Sequence, residues 1–257
     1  MIFLLVFIFG LIIGSFLNVI ILRLKDGQDI FWSRSQCPHC FHKLSVADLV
    51  PLFSFLWLRA RCRYCRKSIA WQYPIVELTT GLLFVFSFYH IFSSVTVVDF
   101  LFFIQLVIAW LAIASLIVVF VYDLRWMLIP DAVVIPVALI ILLLNLLIGR
   151  NFLDLLGGVV IGFGFFAIQY FISGGRWIGG GDLRLGFFMG CLLGLGGTIL
   201  ALFLAYILGG FISVILLALK RVSPKSALPF GIFICPAILL VWFFGQPIIS
   251  WYLSFLL

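Results

Sequence analysis

The chain has 257 residues, 65% of them hydrophobic and 10% charged, with a mean hydropathy of +1.34 and sixteen Lys and Arg against nine Asp and Glu, a net charge of +7. Soluble domains carry about 25% charged residues, so this composition excludes a soluble globular protein, while thirty Phe, eight Trp and seven Tyr exclude a disordered one. A charge of +7 does not call for nucleic acid as a partner, because membrane topology accounts for it; the expected partner is the lipid bilayer.

Stretches free of Asp, Glu, Lys and Arg run over 1–22, 78–98, 100–122, 132–149, 155–175, 185–219 and 226–257. About 20 apolar residues cross a bilayer, and the 35 residues of 185–219 exceed one helix. That run contains Gly194, Leu195, Gly196, Gly197 and Thr198, where a tight turn is expected. The expectation is an all-α polytopic membrane protein of about eight transmembrane helices. With the N-terminus outside, fifteen of the sixteen basic residues, Lys225 among them, fall on the cytoplasmic face and only Arg150 is left outside. The first 22 residues lack the basic n-region of a cleaved signal peptide, so they are read as a retained helix.

Residues 23–72 form the long polar segment, with nine basic residues and the pairs Cys37, Cys40 and Cys62, Cys65, two C-x2-C knuckles 21 residues apart. Each knuckle aims two thiolates at one tetrahedral centre, and a loop with little core needs a staple to fold, so a structural zinc site is expected in a small cytoplasmic domain. Two disulfides are the alternative, disfavoured by the reducing side of the membrane. Four thiolates close the site without His39 or His42, and Cys191 and Cys235, inside apolar runs, read as packing residues. The domain plan is therefore 1–22 as the first transmembrane helix, 23–72 as the zinc-binding domain and 73–257 as seven further membrane helices.

Among the carboxylates, Asp26, Asp29 and Asp48 lie in the polar loop, and Asp99 and Asp154 at outer helix ends. Glu77 is either a helix N-terminal charge or part of a site. Asp123, Asp131 and Asp182 fall at cytoplasmic ends of apolar runs, where ionisable groups point to function. Asp131 after Pro130, and Asp182 after Gly179, Gly180 and Gly181, can each be helix N-caps. Asp123 sits at a helix C-terminus, where the macrodipole disfavours a negative charge, although pairing with Arg125 or Arg184 would also account for it. Two aspartates on one face suit acid-base hydrolysis, one activating water while the other protonates a leaving amine.

These residues together resemble the type IV prepilin peptidases. The likeness runs through Gly14, Ser15, Phe16, Leu17, Asn18 and Val19, both cysteine knuckles, Tyr73 to Gly81, the segment from Asp123 to Asp131, Gly179 to Asp182, and Leu228, Pro229, Phe230 and Gly231. The resemblance implies a GxGD aspartic peptidase of the bacterial cytoplasmic (inner) membrane. Such an enzyme removes a basic leader from prepilins or pseudopilins at the cytoplasmic face and methylates the new N-terminus with S-adenosylmethionine. It implies Asp123 and Asp182 as the catalytic pair, Gly179, Gly181, Pro130, Asp131, Pro229, Phe230 and Gly231 as their support, and Asn18 and Glu77 as methyl-transfer candidates. The chain departs from the family pattern at Ala60, where a glycine is common, at Arg184, where a lysine is common, and at Trp32 and Ser33, where a proline is frequent. A peptidase without methyl transfer, a transporter and a noncatalytic scaffold are the competing readings. The spans hold few polar residues beyond Asn18, His90, Gln105, Asn145 and Gln169, which disfavours transport.

Overall fold

A computed structural model of the protein describes residues 1–29, 34–94, 97–221, 223 and 228–254. Trp32, Ser33 and Lys225 lie outside the described residues. Eight α-helices follow in order: α1 (Ile2–Asp26), α2 (Phe53–Trp57), α3 (Gln72–Ser94), α4 (Phe100–Trp126), α5 (Asp131–Leu147), α6 (Phe152–Ser173), α7 (Gly180–Ala218) and α8 (Gly231–Leu253). Among the described residues, six of them (α1, α3, α4, α6, α7 and α8) are long and apolar enough to cross a membrane, and α5 is a shorter apolar helix of 17 residues. The protein is an all-helical, multi-pass membrane protein.

The run over 185–219 holds the interruption expected within 194–198, and a single residue carries it. Gly194 (φ 74°, ψ −172°) divides the 39 residues of α7 into two helical legs, 180–193 and 195–218, and both legs approach Gly162 of α6, through Gly186 on one and Thr198 on the other. With α5 included and the two legs counted separately, the described residues hold eight apolar helical segments. One glycine suffices because side chains from the α5–α6 corner serve the backbone groups that the break orphans. Asn145 donates to the Cys191 carbonyl at 2.9 Å, and Arg150 donates to the carbonyls of Leu192 and Leu193 at 2.7 and 3.0 Å. Across the break, Asp154 accepts from the Leu195 N–H at 3.0 Å. The cation meets the C-terminal end of one leg and the carboxylate meets the N-terminal end of the next, as the helix dipoles require.

The chain divides into two compact units, 1–118 and 119–257. In the first, α1 packs on α3 through Gly10 and Gly14: a Cβ on Gly10 would lie 2.7 Å from the Gly81 Cα, and one on Gly14 2.7 Å from the Glu77 Cα. Trp110 of α4, half-buried, stacks on Phe84 with ring centroids 5.0 Å apart and donates its indole N–H to Ser87 Oγ at 3.2 Å, so its donor is satisfied. In the second unit, Gly158 and Gly162 of α6 face Gly186, Gly190 and Gly194 of α7 with no room for a Cβ on either side. Small residues every fourth position bring two backbones together where lipid offers no hydrophobic drive for association.

Candidate active site and cysteine centre

Asp123 lies in the last turn of α4, which ends in a left-handed Met127 (φ 53°) whose N–H bonds back to the Asp123 carbonyl at 2.8 Å. Its side chain leaves the unfavourable end of its own helix and enters the N-terminus of α8. There the N–H groups of Gly231 and Ile232 are directed at the carboxylate. The charge that α4 disfavours is thereby placed where α8 favours it. Gly231 has to be glycine, since its Cβ would lie 2.7 Å from Asp123 Oδ2. That oxygen is buried and has no hydrogen-bond partner among the described residues.

Asp182 is buried in the first turn of α7, close enough to Asp123 for the two charges to interact. The helix N-cap is Gly179 rather than Asp182, which occupies the third helical position and accepts from the Gly179 N–H at 3.2 Å. Of the glycines before it, Gly181 is the one demanded sterically: a Cβ there would lie 2.9 Å from the Ile129 Cβ, so Gly181 seats the α7 N-terminus on the α4–α5 connection. Asp131 likewise is not the cap of α5. Pro130 holds that position and Asp131 is the first helical residue. Asp131 and Arg184 form an ion pair at 2.7 Å, which ties the start of α5 to the start of α7. Arg125 lies over the Trp126 ring at 5.7 Å. Phe230 caps α8 and packs on Tyr206 (4.9 Å between centroids) and Phe166 (6.2 Å), fixing the amides that face Asp123.

The four expected metal ligands converge. The Sγ atoms of Cys37, Cys40, Cys62 and Cys65 all lie within 4.8 Å of one another, and Cys37 and Cys65 are 3.9 Å apart. Thiolates about 2.3 Å from a tetrahedral zinc are about 3.8 Å from each other, so the cluster fits that ion. The knuckles repeat with an offset of 25 residues: Cys37 and Cys62 donate their N–H groups to His42 and Lys67, and Phe41 and Arg66 (φ 56° and 61°) bond back to the cysteines. Burial raises the Cys37 thiol, and the N–H groups of Cys40 and His39 together with the Cys40 and Cys62 side chains outweigh it and bring it to about 7, while Cys40 beside it is raised to about 11, so the clustered thiols share their protons unequally. His42 stacks on Tyr64 at 3.6 Å. Asp48 clasps the two knuckles, accepting from Ser45 N–H and Oγ, Arg63 Nε (2.6 Å) and Tyr64 OH. Burial raises its carboxyl, and these donors outweigh the effect and bring it to about 2.

Asn18 and Glu77 are neighbours of one α1–α3 seam. Asn18 donates to the Gly14 and Tyr73 carbonyls and accepts from Gln72 Nε2 at 3.1 Å. Glu77 is the sixth residue of α3, too deep to be its terminal charge, and Glu77 Oε2 accepts from the Leu52 N–H at 2.8 Å. The Ser15 hydroxyl also bonds to the Glu77 side chain.

A family model for the bacterial peptidase A24 N-terminal domain matches residues 8–91, and one for the type IV leader peptidase family matches residues 106–214. A prepilin leader peptidase/N-methyltransferase of Aeromonas hydrophila is 32% identical over 98% of this chain and 94% of its own. The chain belongs to the type IV leader peptidase family. Proteins of the same description from Bacillus subtilis (32% identical, 96% of each chain) and Legionella pneumophila (31%, 98% of this chain and 95% of its own) also match. No solved structure matches. In this leader peptidase family member, sequence reasoning missed the α8 amides and Ile129, while Cys235, read as a packing residue, is buried one turn into α8. A readable signal existed for the first of these. Phe230 and Gly231 open an apolar run after Pro229, and every helix start exposes backbone N–H groups.

Proposed function

We propose that the protein removes the leader from type IV prepilins or pseudopilins at the cytoplasmic face of the bacterial inner membrane, with Asp123 and Asp182 as the catalytic pair, and then methylates the new N-terminus. The observation that carries this reading is a pair of buried carboxylates within electrostatic reach of one another, Asp123 facing the N-terminus of α8 and Asp182 in the first turn of α7. Two carboxyl groups so placed share one proton. The ionised member takes a proton from water as the water oxygen attacks the scissile carbonyl carbon. The protonated member delivers its proton to the departing amide nitrogen as the C–N bond breaks. Asp123 Oδ2, buried and without a hydrogen-bond partner among the described residues, is available to engage that water. Gly179, Gly181, Pro130, Asp131, Pro229, Phe230 and Gly231 act as the frame that sets the pair.

Residues 23–72 serve as a cytoplasmic zinc-binding domain between the first membrane helix and the remaining ones. Cys37, Cys40, Cys62 and Cys65 would hold the ion as a closed structural site with no position open for catalysis. S-adenosylmethionine, as methyl donor, supplies an electrophilic methyl group for the new N-terminal amine. Asn18 and Glu77 are the candidates for orienting that amine. The test is mass spectrometry of a co-expressed prepilin's N-terminus with the wild type and the Asp123→Asn and Asp182→Asn variants. The expected outcome is cleavage and methylation by the wild type, and no cleavage by either variant at unchanged thermal stability. Cleavage by either variant refutes the assignment of the pair.

A further inference from the structure

Among the described residues, α2 presents the most exposed aromatic surface in the loop between α1 and α3. Phe53, Leu56 and Trp57 are 61%, 72% and 73% exposed, and Trp71, just before α3, is 68% exposed. Phe53 and Trp57 stack on one another with ring centroids 5.8 Å apart, presenting a continuous apolar face. The fourth aromatic, Phe55, points the other way: it is buried and meets the Trp71 ring at 5.1 Å. In a cytosolic domain such a face would be an aggregation liability.

The position of α2 along the membrane axis follows from one hydrogen bond. Leu52, the residue before α2, donates its N–H to Glu77, five residues beyond the first residue of α3. At 1.5 Å per residue that contact lies about 7 Å inside the helix end, comparable to the thickness of one interfacial layer of a bilayer. The Phe55–Trp71 contact holds the other side of α2 at the same level. The short helix is thus pinned beside the entry of a spanning helix. Immediately after it come Arg59, Arg61, Arg66 and Lys67, all exposed. Aromatic side chains at headgroup depth, followed by clustered cations, are complementary to an anionic lipid surface.

We propose that α2 is an interfacial membrane anchor. Phe53, Leu56, Trp57 and Trp71 insert among the headgroups of the leaflet that α1 and α3 enter, and the basic residues after α2 contact lipid phosphates. The loop is then attached to the membrane along its length as well as at its two ends. This reading is independent of the cleavage reaction and of the metal.

The test uses the full chain in nanodiscs, with the photoreactive residue p-benzoylphenylalanine in place of Trp57 in one variant and of Leu56 in another. Both positions are exposed, so the replacements leave the fold intact. Irradiation is expected to give lipid adducts at both positions, with a yield at least about threefold higher when phosphatidylglycerol replaces half of the phosphatidylcholine. Absence of lipid adducts at both positions overturns the anchor. So does crosslinking in native membranes that goes to a prepilin or another protein in place of lipid. Equal yields in the two lipid compositions overturn the phosphate contact.

Discussion

A methyl group on Gly231 would lie 2.7 Å from Asp123 Oδ2 and 3.2 Å from its Cγ, so Gly231→Ala must push the carboxylate off the α8 amides. Misplacing a reacting group by about 1 Å costs on the order of 100-fold in rate. Gly231→Ala is therefore expected to leave a folded chain that cleaves prepilin about 100-fold more slowly in a timed leader-removal assay; a wild-type rate would mean that Asp123 works elsewhere. Ala60 carries the opposite kind of constraint. It occupies the left-handed region (φ 56°), which costs a residue with a Cβ about 1–2 kcal/mol, while glycine gives back roughly 0.5–1 kcal/mol in unfolded-state entropy. Ala60→Gly should stabilise the loop by about 0.5–1 kcal/mol, read as slower amide hydrogen exchange over residues 60–69. The family departure noted at Ala60 becomes physical here, since a left-handed position explains why glycine suits it. The placement of Asp123 at a helix end that repels it was legible in the sequence. Its relief by amides 108 residues away was not, because nothing local encodes where a side chain at a helix terminus will point.

Two helices in lipid have little hydrophobic reason to associate, so the α6–α7 contact rests on backbone approach through Gly158, Gly162, Gly186 and Gly190. Replacing Gly162 or Gly186 with Ala forces the pair apart at the crossing, and overpacking of this kind costs about 1–3 kcal/mol. The thermal midpoint in detergent should fall in both variants. Gly164→Ala and Gly210→Ala provide the internal comparison, since a Cβ at either position meets nothing within 4 Å, and neither should lower it. The four-residue glycine spacing stands in the sequence, yet it names no partner helix. The run over 185–219 shows the same limit: its glycines announced an interruption. That a single residue carries the interruption depends on Asn145, Arg150 and Asp154 arriving from another corner of the chain.

At the scale of the molecule, the fold class was legible because hydropathy is a local sum over each span, and the cysteine cluster because knuckle spacing is itself geometry. The loop has almost no core to hold it. Apart from Cys37 and Cys62, Phe55 is its one buried apolar residue among those described between α1 and α3. Chelating the metal from the full chain should therefore unfold residues 35–69, seen as faster hydrogen exchange there, while the spanning helices keep their protection. Unchanged exchange in the loop would show that the Asp48 clasp suffices.

The break at Gly194 has a consequence for the lipid itself. The leg of α7 over residues 180–193 is about 21 Å long and α5, with 17 residues, about 25 Å, against a hydrocarbon core of about 30 Å. The Asp131–Arg184 pair joins their starts and the Asn145–Cys191 bond joins them further along, so the two short elements lie side by side. Thinning of the bilayer is one way in which a patch shorter than the hydrocarbon core is accommodated. Asp182 stands at the edge of that patch, and where the bilayer thins there, the chemistry assigned to it would take place in a dimple of the membrane, with water reaching a peptide bond that a flat bilayer would keep in oil.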